Sequence, residues 1–289
     1  MRAIVPAGSV EKLDAMRDLL KQRNLNSVCQ AAHCPNIAKC FSEGTVTFMI
    51  MGNVCTRNCR FCAVEKGHPV KLDSEEPFQI AEAVEALKLR HVVITSVTRD
   101  DLSDGGASHF AEVVRQIRRR NNSTVIELLI PDFQGSLEAL EEIIDSNPDI
   151  IGHNIETVKR IFGNVRPIAS FEQSIDVLRL IRKKTDSILS KSGFMVGLGE
   201  TKKEVLELLS ILRDCRCDMI TIGQYLRPSA LQVPMVEYVH PSQFEYYQEK
   251  ALALGFEAVL SGPLVRSSFN ASSLYEKIEG CRHDAVRCV

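Results

Sequence analysis

Residues 44–62 read Gly-Thr-Val-Thr-Phe-Met-Ile-Met-Gly-Asn-Val-Cys-Thr-Arg-Asn-Cys-Arg-Phe-Cys, an apolar and β-branched run followed at once by three closely spaced cysteines. The run at 45–51 has the near-continuous apolar character of a strand in a sheet covered by helices. Five further runs of this kind occur at 91–96, 124–130, 150–155, 194–198 and 219–222, each followed by a stretch of helical period. After the run at 150–155, Ser170 and Gln173 fit a capping box, and Ile175, Leu178 and Ile181 recur along one face. Thr201 and Glu204 repeat the box. Ile80, Val84 and Leu87 follow Pro77 in the same manner, and Leu137, Leu140, Ile143 and Ile144 follow Ser136.

Strands separated by helices pair in parallel, because a crossover takes about a dozen residues or more. The class is therefore α/β. The expected architecture is a partial (β/α)6 TIM-type barrel over residues 45–260, with an N-terminal extension at 1–44 and a C-terminal extension at 261–289. A flat doubly wound sheet fits the same pattern.

The 289 residues are 45% hydrophobic and 25% charged, the balance of a globular chain able to bury a large core. The 35 basic and 37 acidic side chains give a net charge of −2, which removes the electrostatic case for nucleic acid. The run Arg118-Arg119-Arg120 reads instead as the cationic last turn of a helix. The longest strongly apolar stretch, near 48–51, falls far short of the roughly 20 residues that span a membrane, so no membrane partner is expected. Residues 1–6 carry neither a long apolar segment nor an Arg- and Ser-rich leader, and the expected location is cytoplasmic. Ten cysteines in a reducing compartment point to metal or catalysis rather than a disulfide framework. Six of them crowd into the 34 residues from Cys29 to Cys62, whereas Cys215, Cys217, Cys281 and Cys288 are scattered late.

Cys55, Cys59 and Cys62 form a Cys-x3-Cys-x2-Cys run on the loop leaving the first strand, the end of a barrel where chemistry sits. Thiolates on so tight a loop are able to turn toward three corners of one cubane cluster, leaving its fourth iron without a protein ligand. An open iron is what a small chelating cofactor requires. The competing reading is structural zinc, which normally closes with four protein ligands. Cys29, Cys34 and Cys40, spaced Cys-x4-Cys-x5-Cys, read as ligands of a second cluster, as scattered structural cysteines, or as a zinc knuckle with His33.

The first triad matches the signature of the radical S-adenosylmethionine superfamily, and the two triads together resemble the lipoyl synthase family. The likeness continues in Val92-Val-Ile-Thr-Ser-Val-Thr-Arg-Asp-Asp-Leu-Ser-Asp-Gly-Gly106, Ile130-Pro-Asp-Phe133, His153-Asn-Ile-Glu-Thr157 and Lys191-Ser-Gly-Phe-Met-Val-Gly-Leu-Gly-Glu200. Thr221-Ile-Gly-Gln-Tyr-Leu226 and Ser261-Gly-Pro-Leu-Val-Arg-Ser-Ser268 complete it, so that it runs from about Cys29 to Ser268. Each block falls at or near an expected strand end.

The resemblance implies two 4Fe–4S clusters. One sits on Cys55, Cys59 and Cys62 and binds S-adenosylmethionine; the auxiliary one sits on Cys29, Cys34 and Cys40. The family closes the auxiliary cluster with a serine of an Arg-Ser-Ser-Tyr motif, and Ser268 occupies that place as the implied catalytic ligand. Phe269 stands where the family has tyrosine, and Phe41 where it commonly has tryptophan. The implied reaction cleaves S-adenosylmethionine to a 5′-deoxyadenosyl radical, removes hydrogen at C6 and C8 of an octanoyl chain on a carrier lysine, and inserts sulfur from the auxiliary cluster. The implied partners are octanoylated lipoyl carrier domains, those of 2-oxoacid dehydrogenase E2 subunits and the glycine cleavage H protein, with an electron donor such as ferredoxin or flavodoxin. Ser96, Arg99, Asp100, Asn154, Glu156, Gly197, Gly199 and Glu200 are the expected contacts to S-adenosylmethionine, whose ribose hydroxyls and amine need carboxylates and backbone groups. His33, His153 and the late cysteines read as structural. The alternative is another radical enzyme that inserts sulfur, biotin-synthase-like or a methylthiotransferase, with its auxiliary ligands elsewhere.

Overall fold

A computed structural model describes residues 10–287, with side chains to residue 280. Cys281 and Cys288 therefore lie outside the described side chains. The chain opens with helix α1 (Val10–Gln22), strand β1 (Asn26–Ser27) and the short helices α2 (Val28–Ala31) and α3 (Ile37–Ser42). Strand β2 (Thr47–Ile50) and a two-stranded ribbon, β3 (Val54–Cys55) with β4 (Glu65–Lys66), follow. Then come α4 (Glu76–Ala86), β5 (His91–Ser96), α5 (Ala107–Arg120), β6 (Val125–Leu129), α6 (Leu137–Asp145), β7 (Ile150–Gly152), α7 (Lys159–Val165) and α8 (Phe171–Lys184). The last elements are β8 (Leu189–Val196), α9 (Lys202–Asp214), β9 (Met219–Gln224), α10 (Pro241–Ala253), β10 (Ala258–Gly262) and α11 (Ala271–Arg287).

Eight strands form one sheet in the order β1-β2-β5-β6-β7-β8-β9-β10. From β2 to β10 every pair is parallel, and only β1 runs antiparallel, along the free edge of β2. Among the described residues β2 and β10 do not pair, so the barrel stays open between its first and last parallel strands. Phe48, Met49 and Ile50, with Ile94, Ile126 and Leu128 on neighbouring strands, are almost wholly excluded from water. Burial on both faces is why these strands carry no alternation.

Helix starts follow the capping chemistry of the sequence. Thr201 and Glu204 make the full reciprocal box, whereas Ser170 accepts from the Gln173 backbone N–H at 3.2 Å without the return bond. Ser136 accepts from the Ala139 N–H at 3.2 Å. Arg118 and Arg120 do lie in the last turn of α5, and they also bond outward, Arg118 to Asp149 and Arg120 to Glu85.

Three strands differ from the pattern. The run expected at 150–155 is shortened to β7, because the chain leaves the sheet and Glu156 takes a left-handed φ of 68° before bridging to Phe194. β8 begins at Leu189 rather than 194, since Ser190, Lys191 and Ser192 break its apolar run in sequence yet are buried with partners. Lys191 Nζ meets Glu127 Oε1 at 2.6 Å, Ser190 Oγ donates to Asp218 at 2.9 Å, and Ser192 Oγ donates to the His153 carbonyl at 2.9 Å. β10 is a seventh parallel strand beyond the six expected. Below it Leu274 and Ile278 of α11 join Ile150, Leu189, Met219 and Ala258 at the N-terminal ends of the strands, covering the barrel opposite its mouth.

Candidate functional site

The loop leaving β2 is fixed by one side chain. Arg57 sits between two carboxylates, with Nε and Nη2 to Asp100 at 2.6 and 2.9 Å and Nη1 and Nη2 to Asp132 at 2.8 and 2.6 Å. The Arg57 and Asp132 side chains are only 5% and 0% exposed, so the pair is desolvated and must be closely matched to be tolerated. Asp132 is held down to about 2, because the bonds and charge of Arg57 outweigh burial, which alone would raise it. Asp100 follows β5 and Asp132 follows β6, so the guanidinium ties the cysteine loop to two neighbouring strand ends. Backbone N–H groups of Thr98 and Arg57 point at Cys55 Sγ at 3.3 and 3.5 Å.

Above the strand ends opens a cavity of about 1430 Å³. Cys55, Cys59 and Cys62 line it, and so do Cys29, Cys34 and Ser268. Cys40 lines a small adjoining hollow together with Cys29, Cys34 and Ser268. The structure thus brings both triads and the late serine to one end of the barrel. The described cysteines are all free. Burial pushes Cys29 and Cys62 up to about 11, and burial plus the neighbouring Cys29 and Cys34 pushes Cys40 to about 12. Thiols so placed ionise only against a strong positive charge, which bound iron supplies.

Among the described residues no three His, Cys, Asp or Glu side chains converge tightly enough to hold a single metal ion. Zinc needs its ligands about 2.3 Å from one point, whereas a cluster takes one thiolate per iron and suits wider spacing. Arg266 adds a second sign. It is half-buried beside Cys34, its Nη1 donates to the carbonyl of Val265 at 2.6 Å, and loss of solvent lowers its pKa. No carboxylate among the described residues forms an ion pair with it. An anionic cluster in the hollow that it lines would supply the missing counter-charge.

Of the expected contacts to S-adenosylmethionine, Ser96, Asn154 and Glu156 line the cavity. The Ser96 hydroxyl is buried without a partner, as a ligand-facing group would be before the ligand arrives. Burial raises the Glu156 carboxyl, opposed by nearby Arg166. The other five expected residues do not line it. Arg99 is bound to Asp101 at 2.8 Å, and Asp100 is taken by Arg57. Glu200 accepts the N–H groups of Gly197 and Leu198 at 2.6 and 2.9 Å, closing the turn in which Gly197 and Gly199 take φ of 95° and 98°. A carboxylate or glycine at a strand end is as well suited to a protein turn as to a ligand.

Two further residues line the cavity: His153, read from the sequence as structural, and Arg166, which the sequence does not single out. His153 is buried, and its Nδ1 lies 2.9 Å from the Ile130 carbonyl, which assigns the proton to Nδ1. Its Nε2 is then a lone pair without a partner in the cavity wall. Burial, with Arg166 adding to it, lowers His153 to about 4, so the ring is neutral at pH 7. Arg166 is buried too, bonded to the Asn154 carbonyl at 3.2 Å; burial pushes the Cys59 thiol up, and the Arg166 charge opposes that rise. Neither had a signal in spacing; only the block His153-Asn-Ile-Glu-Thr157 hinted that His153 belongs with Asn154 and Glu156.

Comparison with known proteins points the same way. The family model described as the radical SAM superfamily matches residues 49–212. The chain is similar to a lipoyl synthase of Caldicellulosiruptor bescii, 55% identical over 94% of each chain. It is also similar to one of Caldanaerobacter subterraneus subsp. tengcongensis, 56% identical over 90% of this chain and 92% of the other. Among solved structures methylornithine synthase superposes with a TM-score of 0.56 at 15% identity, covering 86% of this chain and 76% of that one. This last likeness concerns the fold. Relatives of this identity and coverage favour the lipoyl synthase reading over the biotin-synthase-like and methylthiotransferase alternatives. The chain belongs to the lipoyl synthase family, sulfur-inserting enzymes of the radical SAM superfamily that work with a 4Fe–4S cluster and S-adenosylmethionine.

Proposed function

We propose that the two triads hold two clusters with different duties, and that the observation carrying this is their gathering at one end of the barrel, on one cavity and the hollow that adjoins it. Cys55, Cys59 and Cys62 would hold the cluster that binds S-adenosylmethionine. Cys29, Cys34, Cys40 and Ser268 would hold the auxiliary cluster, which is spent as sulfur donor. When bound, the first cluster supplies the electron that cleaves S-adenosylmethionine to a 5′-deoxyadenosyl radical. The protein's part is position. The Arg57 clamp keeps the cysteine loop fixed against the strand ends, and Ser96, Asn154 and Glu156 offer hydroxyl, amide and carboxylate to the cofactor's ribose and amine. The substrate is an octanoyl chain on a carrier lysine, entering where the two triads face each other and receiving sulfur at C6 and C8. Octanoylated lipoyl domains of 2-oxoacid dehydrogenase E2 subunits and the glycine cleavage H protein are the proposed partners, with ferredoxin or flavodoxin as reductant.

Free described cysteines suit a cytoplasmic setting. No helix among the described residues is long and apolar enough to cross a membrane. The proposed domains keep the limits 1–44, 45–260 and 261–289.

The decisive experiment is an anaerobic assay of an octanoyl-lysyl peptide with S-adenosylmethionine and reductant. A Cys29/Cys34/Cys40→Ala variant should form 5′-deoxyadenosine but no lipoyl product. Loss of both together would mean that the triads do not have separate duties.

A further inference from the structure

Ser268 lies six residues beyond β10, and the Phe269 that follows it has no hydroxyl with which to orient it. The hydroxyl that reaches Ser268 comes from β2, across the gap in the open sheet from β10. Thr47, the first residue of β2, donates its Oγ1–H to Ser268 Oγ at 2.8 Å, across 221 residues of sequence. Thr47 is 3% exposed, so neither water nor a mobile side chain competes for this bond. The same residue stands beside Cys29, where its backbone N–H opposes the burial that pushes the thiol up. β1 makes this possible, because pairing Ser27 with Phe48 leaves Cys29 beside the start of β2.

We infer that Thr47 is a positioning residue for the auxiliary cluster, holding Ser268 in the hollow that Cys29, Cys34 and Cys40 also line. The inference rests on the proposed ligand role of Ser268. A ligating serine oxygen and a thiolate are both acceptors only, and Thr47 has two donors to offer them. Its backbone N–H serves Cys29, which leaves the hydroxyl for Ser268. A serine bound to iron through a charged oxygen takes a stronger hydrogen bond than a neutral one. Thr47 therefore steadies the serine corner most when that corner is metal-bound.

The test is made on full-length chain in which Cys55, Cys59 and Cys62 are alanine, so that iron, sulfide and spectra report on the auxiliary cluster alone. Thr47→Val keeps shape and removes the donor; Thr47→Ser restores it. After anaerobic reconstitution, iron release to a ferrous chelator is timed and the cluster followed by electron paramagnetic resonance. Thr47→Val should lose its first iron about tenfold faster and build up a three-iron signal, the scale of one charge-assisted hydrogen bond. Thr47→Ser should behave as the parent. Ser268→Ala serves as reference, and its three-iron signal establishes the serine corner. If Ser268→Ala shows that signal while Thr47→Val releases iron at the parent rate, Thr47 does not position the ligand, although the reading of Ser268 stands. If Ser268→Ala itself matches the parent, the ligand reading fails and the Thr47 inference with it. Should Thr47→Val not fold, Thr47→Ala is read by the same two measurements.

Discussion

Arg57 ties the 55–62 loop to two neighbouring strand ends with four hydrogen bonds from a single buried guanidinium. The 29–40 segment is held by single bonds from distant parts of the chain. Asn36 Nδ2 donates to the Leu264 carbonyl at 2.7 Å, and the Lys39 ammonium lies 5.3 Å from the centre of the Phe269 ring. The first arrangement resists displacement, since every bond must break together. The second is separable bond by bond. On the proposed reading this matches use: the radical cluster returns unchanged after each reaction, whereas the auxiliary cluster is dismantled and must be replaced.

The contrast is most directly broken at Arg57. Arg57→Met leaves Asp132 buried and unpaired, which should cost about 4 kcal/mol in chemical unfolding. Folded fractions should lose 5′-deoxyadenosine formation while keeping iron on Cys29, Cys34 and Cys40, as iron counting would record. Adding Asp132→Asn should recover part of the stability. Equal loss of iron from both triads would show that the loop is not held independently.

The opposite side is broken at Gly223 in β9. A Cβ there would stand 2.2 Å from the Val265 carbonyl oxygen, against which the Arg266-Ser267-Ser268 segment folds. Gly223→Ala should cost about 3 kcal/mol by overpacking, because backbone has to move. It should lower auxiliary iron while leaving S-adenosylmethionine cleavage in place.

Acid sharpens the comparison further. The carboxyl of Asp132 is lower in the folded chain than unfolded, so its contribution is complete above about pH 4 and fades as pH falls toward 2. About 2 kcal/mol should disappear over that window, and Asp132→Asn should flatten this limb of the stability curve. An unchanged acid limb in the variant would remove Asp132 from the account.

Strand positions and the six clustered cysteines were legible because both are local patterns. The apolar run before Cys55 fixes a strand end, and the spacing of Cys55, Cys59 and Cys62 fixes their loop. What was not legible depends on pairing across the sheet. Asp100 pairs with Arg57, 43 residues away, a partner that no local pattern announces. Glu200 closes its own turn. Lys191 hid the start of β8, since a lysine inside a strand looks exposed until Glu127 is seen 64 residues away. Whether His153 faced core or cavity could not follow from its neighbours in sequence. Ser268 is singled out only through resemblance, since its partner Thr47 lies 221 residues away.

The gap between β2 and β10 has a further consequence. In a closed barrel, a group lodged among the first strand, the last strand and the leader would be reached only by unpairing the sheet. Here β1 pairs through two residues, and the Thr47–Ser268 bond links β2 to the segment after β10. On the proposed reading, a spent sulfur donor would be reloaded by giving up the short β1 pairing and the Thr47–Ser268 bond while the seven parallel strands keep their register.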